Sequence, residues 1–161
     1  MVLLKKWSHF IALPLRSKLL LFEAYMLLAW ARLLKLIPFA KVAPTLGVPM
    51  KETPYERVAE HEQMLGEVAK AIRQMSRYTW WESECLVKGI AAMKLLKRRK
   101  IASTLYLGTA KDASGKLIAH AWLRSGPYYI TGVEEMGRFT VVGLFGNQIK
   151  RKKEHRYGQN V

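Results

Sequence analysis

A chain of 161 residues, half of them hydrophobic, suits one domain with a buried core, and this excludes a chain that is disordered throughout. Its single cysteine excludes an internal disulfide, and the histidines at positions 9, 61, 120 and 155 show no zinc-ligand spacing. The net charge of +15 favours acidic partners, namely an acidic peptide, an anionic membrane surface or nucleic acid.

The charge is spread along the chain. Residues 1–50 carry seven basic groups and one acidic group, and residues 51–161 carry twenty and eleven. Dense points stand at Lys97-Arg98-Arg99-Lys100 and Lys150-Arg151-Lys152-Lys153. Each is equally readable as a solvated cationic surface. Met1 to Phe10 contains Lys5 and Lys6 and lacks the continuous apolar core and small-residue cleavage site of a secretory signal.

Ser17 to Leu36 reads as a helix of good helix formers, stopped by Pro38. Its apolar residues wrap most of the circumference, so it is expected to pack against protein rather than stand in water. Glu23, Arg32 and Lys35 interrupt this region, and its longest uncharged run, Ala24 to Ala31, is too short to span a bilayer. A soluble, cytoplasmic protein in a reducing compartment is expected. Peripheral attachment to a membrane through a basic amphipathic helix is left open.

Pro44, Gly47 and Pro49 mark a connector. Thr53-Pro54-Tyr55-Glu56 then predicts a helix start: Thr53 as cap, Pro54 in the first turn and Glu56 closing a capping box. Val58, Leu65, Val68, Ala69 and Ile72 continue an apolar face to about Arg77. Within this helix His61-Glu62 begins like a metalloprotease motif, but Leu65 stands where the second histidine belongs. No metal and no cofactor are expected.

Cys85 to Arg99 is the third predicted helix, with Leu86, Ile90, Met93 and Leu96 on one stripe and Glu84 set to pair with Lys88. After Lys100 the period falls to two. Ile101–Leu107, Leu117–Arg124, Tyr128–Val133 and Phe139–Phe145 predict four strands, with turns at Asp112-Ala113-Ser114-Gly115 and Ser125-Gly126-Pro127. The expected class is α+β, a helix followed by an antiparallel meander. The tail from Lys150 is expected to be mobile.

Two residues carry candidate chemistry. Cys85 stands at a helix start, where unpaired N–H groups and the positive end of the helix dipole favour an anion and can hold an oxyanion. His120 lies within the strand-like run Ala119-His120-Ala121-Trp122, on one face with Ile118, Trp122 and Arg124. A thiol and an imidazole that meet in space can perform acyl transfer. Taken singly, Cys85 also fits a buried small hydrophobe and His120 a packed side chain. Whether Trp80 and Trp81 wall the site is open at this point.

The pieces Trp81-Glu82-Ser83-Glu84-Cys85-Leu86, Leu95-Leu96-Lys97-Arg98-Arg99, Ser103-Thr104-Leu105-Tyr106-Leu107-Gly108, Lys111-Asp112 and Ala119-His120-Ala121-Trp122-Leu123-Arg124 resemble the transglutaminase-like cysteine protease domain of lasso-peptide maturation B proteins. The likeness is to the split form, whose leader-binding half is a separate polypeptide. Pro38-Phe39 and Leu46-Gly47 look like the family's N-terminal extension, so the resemblance covers nearly the whole chain.

The resemblance implies a helical extension over residues 1–77, a transglutaminase- or papain-like core over 78–149 with a catalytic helix on a short antiparallel sheet, and a basic tail over 150–161. It implies a leader peptidase with Cys85 as nucleophile and His120 as base and acid. Its implied partners are a precursor peptide, a separate leader-peptide-binding protein and a lasso cyclase, without nucleic acid. The family commonly supplies an aspartate after the histidine, whereas the single aspartate here, Asp112, precedes it in a predicted turn. Glu134 is the expected orienter, Glu135 its close rival and Asn147 a weaker option. Two other functions compete: a basic nucleic-acid- or membrane-binding module without catalysis, and a transglutaminase-like acyltransferase.

Overall fold

The computed structural model describes residues 13–81 and 84–148, so the basic tail expected from Lys150 lies outside the described residues. The elements in chain order are helix α1 (Leu15–Leu34), helix α2 (Phe39–Leu46), strand β1 (Val48–Pro49), helix α3 (Ala59–Met75), helix α4 (Cys85–Arg98), strands β2 (Ser103–Lys111), β3 (Leu117–Ser125) and β4 (Tyr128–Thr131), a 3-10 turn (Met136–Arg138) and strand β5 (Thr140–Asn147). Mixed helices on one antiparallel sheet make an α+β fold.

Helix α4 is the centre. Val87, Ile90, Met93, Leu95 and Leu96 are all buried, and each such side chain contributes roughly 1.5–3 kcal/mol on leaving water. The α1 residues Leu20, Leu21, Ala24, Leu27, Leu28 and Ala31 close over it from one side, and Leu65, Val68 and Ile72 of α3 from another. Leu105, Ala121 and Leu123 supply the sheet's side of the same core. At the far end of α4, Glu23 of α1 accepts hydrogen bonds from Arg98 (2.8 Å) and Arg99 (2.7 Å). Those cations also suit the negative end of the helix dipole.

The sheet order is β1-β5-β2-β3-β4. The expected simple meander is therefore corrected. After β4 the chain crosses back and β5 pairs with β2, running from Ser103↔Asn147 to Thr109↔Thr140. The physical reason is that β2, with Leu105 fully buried, is a central strand whose second edge needs hydrogen-bond partners.

Three local expectations are also corrected. The connector expected at Pro44, Gly47 and Pro49 begins inside a helix, Phe39–Leu46, despite Pro44, because Phe39, Val42 and Leu46 fall on one stripe and bury Val42 and Leu46. The capping box at Thr53 does not form. Thr53 is buried, its N–H donates to Thr104 Oγ1 at 2.9 Å, and α3 begins only at Ala59. Glu84 pairs with Lys35 rather than Lys88, since its extended backbone as N-cap carries its carboxylate off the helix surface and toward the end of α1.

The sheet face turned away from α4 is polar and aromatic. Arg124, 1% exposed, donates to Tyr106 Oη (2.9 Å), Gly126 O (2.7 Å) and Thr53 O (3.0 Å), and lies 4.8 Å from the Tyr55 ring centroid. It fastens the extended segment 51–57 across that face.

Candidate active site

Cys85 is the first residue of α4 and is half-buried. The first intrahelical bond runs from Lys88 N to Glu84 O (3.1 Å), so the N–H groups of Cys85, Leu86 and Val87 have no partner within the helix. Those donors put positive partial charge at the helix start that carries the thiol, a setting suited to an oxyanion.

His120 stands on β3 opposite Gly108 of β2, on the face shared with Trp122 and Arg124. A Cβ at Gly108 would come within 2.9 Å of both the Trp122 ring and Phe139 Cβ. The missing side chain leaves room for those two rings, which hold the imidazole with centroids at 5.9 Å (Trp122) and 5.0 Å (Phe139). Strand β4 ends at Thr131, and Gly132 turns the chain with φ +74°. Its carbonyl lies 2.8 Å from His120 Nε2. A carbonyl can only accept, so Nε2 carries a proton in this contact and Nδ1 is the ring nitrogen left for proton transfer.

Cys85, His120 and Glu134 line one cleft of about 210 Å³, at the junction of α3, α4 and the end of β4. Helix α3 contributes Ala69, Ile72 and Arg73, its C-cap Ser76 adds to the wall, and Lys88 stands one turn beyond the thiol. Thr131 Oγ1 is buried in the wall without a hydrogen-bond partner. No hydrogen bond links Cys85 to His120, whose ring shares the sheet face turned away from α4 with Trp122 and Arg124, so the pair would have to close around substrate at the cleft they both line.

The other sequence-derived candidates fall elsewhere. Asp112 is the hinge of the β2–β3 turn. Its Oδ1 accepts from Ser114 N (2.9 Å), Ser114 Oγ (2.6 Å) and Lys116 N (3.0 Å), and these bonds, the Ser114 hydroxyl first, hold its carboxyl below the usual range. Glu135 caps the 3-10 turn and faces Arg138. Asn147 pairs with Ser103, five residues along β2 from the His120 position, or roughly 17 Å at strand spacing. Trp81 packs on Tyr25 and Trp80, and neither tryptophan lines the cleft.

The residue that sequence reasoning missed is Gly132. A backbone carbonyl leaves no side-chain signature, and a glycine after a strand reads only as a turn.

The family model of the transglutaminase-like superfamily matches residues 24–143. The chain belongs to that superfamily. Its members are generally cysteine-based enzymes, which supports protease- or acyltransferase-type activity. The match takes in most of α1 as well as α3, α4 and the sheet up to Gly143. No curated protein and no solved structure gives a significant match. Among the described residues, no helix is long and apolar enough to cross a membrane.

Proposed function

We propose that this transglutaminase-like protein is the leader peptidase of a lasso-peptide pathway. The carrying observation is the shared cleft of Cys85 and His120, with the histidine ring held through Nε2 by the Gly132 carbonyl. The narrower assignment rests on the order and spelling of the Trp81–Leu86 and Ala119–Arg124 motifs, which resemble the split B proteins.

In this reading His120 Nδ1 takes the thiol proton and Sγ attacks the scissile carbonyl of the precursor. The tetrahedral oxyanion is held at the start of α4. The carbon–nitrogen bond then breaks, and His120 returns the proton to the departing amine, the new N-terminus of the core. The leader remains as a thioester until His120 activates water and hydrolysis restores the thiol. The released α-amine is the group a separate cyclase needs to close a macrolactam. Glu134, on the same cleft, supplies negative charge that balances the transient imidazolium. Arg73 and Lys88 give the cleft a cationic lining suited to an acidic stretch of peptide.

The test incubates the precursor peptide and its leader-binding protein with wild type, Cys85→Ala and His120→Ala, and follows free leader and core by mass spectrometry. Cleavage by wild type alone is expected. Undiminished cleavage by Cys85→Ala would sink the mechanism. A transglutaminase-like acyltransferase is the second reading, because the superfamily match admits it. A small primary amine added to the reaction separates the two: a protease yields free leader acid, an acyltransferase the leader amide.

A further inference from the structure

Helix α1 is apolar on two opposite faces. One face is buried in the core. On the other, Leu15, Leu19, Phe22, Met26 and Leu33 are between 51% and 71% exposed. Their spacing of four, three, four and seven residues places them within one narrow sector of the helix. The expectation that this helix packs against protein all round is thus met on one side only among the described residues.

Charge identifies what covers the other side. Met26 also lines a cleft of about 640 Å³ between α1 and α4, completed by Leu27, Trp30, Lys94, Lys97 and Arg98. Three cations and no carboxylate line it. The one acidic residue on α1, Glu23, is already engaged by Arg98 and Arg99. Lys94 Nζ lies 5.1 Å from the Trp30 ring centroid and donates to Thr45 O. Burial first, then repulsion from Lys97 and Arg98, hold its ammonium below the usual lysine range. Such a cluster gains from an added anion. An apolar stripe bordering a cationic cleft with a tryptophan in its wall matches the boundary between acyl chains and phosphate headgroups.

We propose that the outer face of α1 and the α1–α4 cationic cleft dock this protein on an anionic lipid surface. The apolar stripe enters the acyl boundary, and Lys94, Lys97 and the outer edge of Arg98 meet lipid phosphates. Lys94 and Lys97 lie nine and twelve residues beyond the thiol along α4, roughly 14 and 18 Å by helical rise, and no residue lining the Cys85 cleft belongs to the docking face.

The experiment is cosedimentation of the full chain with phosphatidylcholine vesicles and with vesicles containing phosphatidylglycerol, at low and high salt. Binding is expected only to the anionic vesicles and is expected to fall with salt. Lys94→Gln/Lys97→Gln should weaken it roughly 25-fold, at about fivefold per cation, and Phe22→Ser/Met26→Ser by at least about tenfold. Equal binding to both vesicle types, no binding to either, or wild-type binding by both variants overturns the proposal. Saturable capture of the leader-binding protein by this face, without vesicle binding, also overturns it in favour of a protein partner. If either variant fails to fold, the wild-type comparison of the two vesicle compositions and its salt dependence decide alone.

Discussion

His120 Nε2 and the carbonyl oxygen of Gly132 are 2.8 Å apart, so the imidazole is oriented by backbone where thiol hydrolases commonly use a carboxylate or amide side chain. The carbonyl is fixed by a glycine that little else can replace. Its φ of +74° is left-handed, and a Cβ there would stand 2.4 Å from Ala121 O and 3.0 Å from Trp122 Cβ.

Gly132→Ala should therefore impair turnover more than stability. The β4–loop junction must shift to relieve the clash, moving the acceptor away from Nε2 and releasing the ring. A fall in kcat of about 100-fold, the lower range for losing general acid–base catalysis, is expected with KM little changed. Steady-state kinetics on a precursor peptide, beside a thermal melt, measures both. Retention of wild-type kcat would show that the carbonyl does not position His120.

Glu134→Gln should be mild by comparison. The carboxylate is exposed, and its contribution is that of a solvent-screened charge. A loss of roughly two- to fivefold in kcat/KM is expected, corresponding to about 0.4–1 kcal/mol. A loss as large as that of Gly132→Ala would instead make Glu134 the principal orienter. Glu135→Gln, facing Arg138, should be closer still to wild type.

Arg124→Met is a stability test on the other face of the sheet. The guanidinium is buried and satisfies Tyr106 Oη, Gly126 O and Thr53 O. Removing it leaves these acceptors without their donor, at a cost of about 3 kcal/mol, which lowers Tm by roughly 10 °C in a protein of this size. Circular dichroism melts report it directly. A change under about 1 kcal/mol would mean that water replaces those bonds.

Acid should loosen the clamp between α1 and α4. Burial raises the Glu23 pKa, but the hydrogen bonds and charges of Arg99 and Arg98 together outweigh that and hold it below the ordinary 4.5. A depressed carboxylate pKa gives stability that is present above the unfolded value and lost as pH falls through the folded one. The Tm advantage of wild type over Glu23→Gln should therefore shrink between about pH 6 and about pH 3. High salt should reduce the advantage at neutral pH, because the pair is partly exposed. An advantage that is independent of pH would remove the charge argument.

Much of this molecule is written locally. The stretch from Cys85 to Arg98 is helical because Ile90, Met93 and Leu96 recur at helical spacing, and β3 runs from Leu117 to Ser125 as its alternation predicts. The start of α4 at Cys85 and the strand around His120 were both legible in this way. Local signals mislead where distant partners compete for the same groups. Thr53 carries a good capping pattern, yet its hydroxyl and N–H are taken by Thr104, fifty-one residues away. Pro44 reads as a breaker, yet burial of Val42 and Leu46 outweighs one lost backbone bond.

By itself, then, the sequence determined the periodicities, the charge, and which thiol and imidazole are available, since each depends on neighbours within a few residues. Only the tertiary structure decided that β5 returns beside β2, that Cys85 and His120 open into one cleft, and that Gly132 supplies the acceptor for Nε2. Those outcomes depend on which distant backbone groups are left unpaired after the core closes. No side-chain pattern encodes a backbone carbonyl's direction, so the histidine's orienting partner was invisible until the chain was folded.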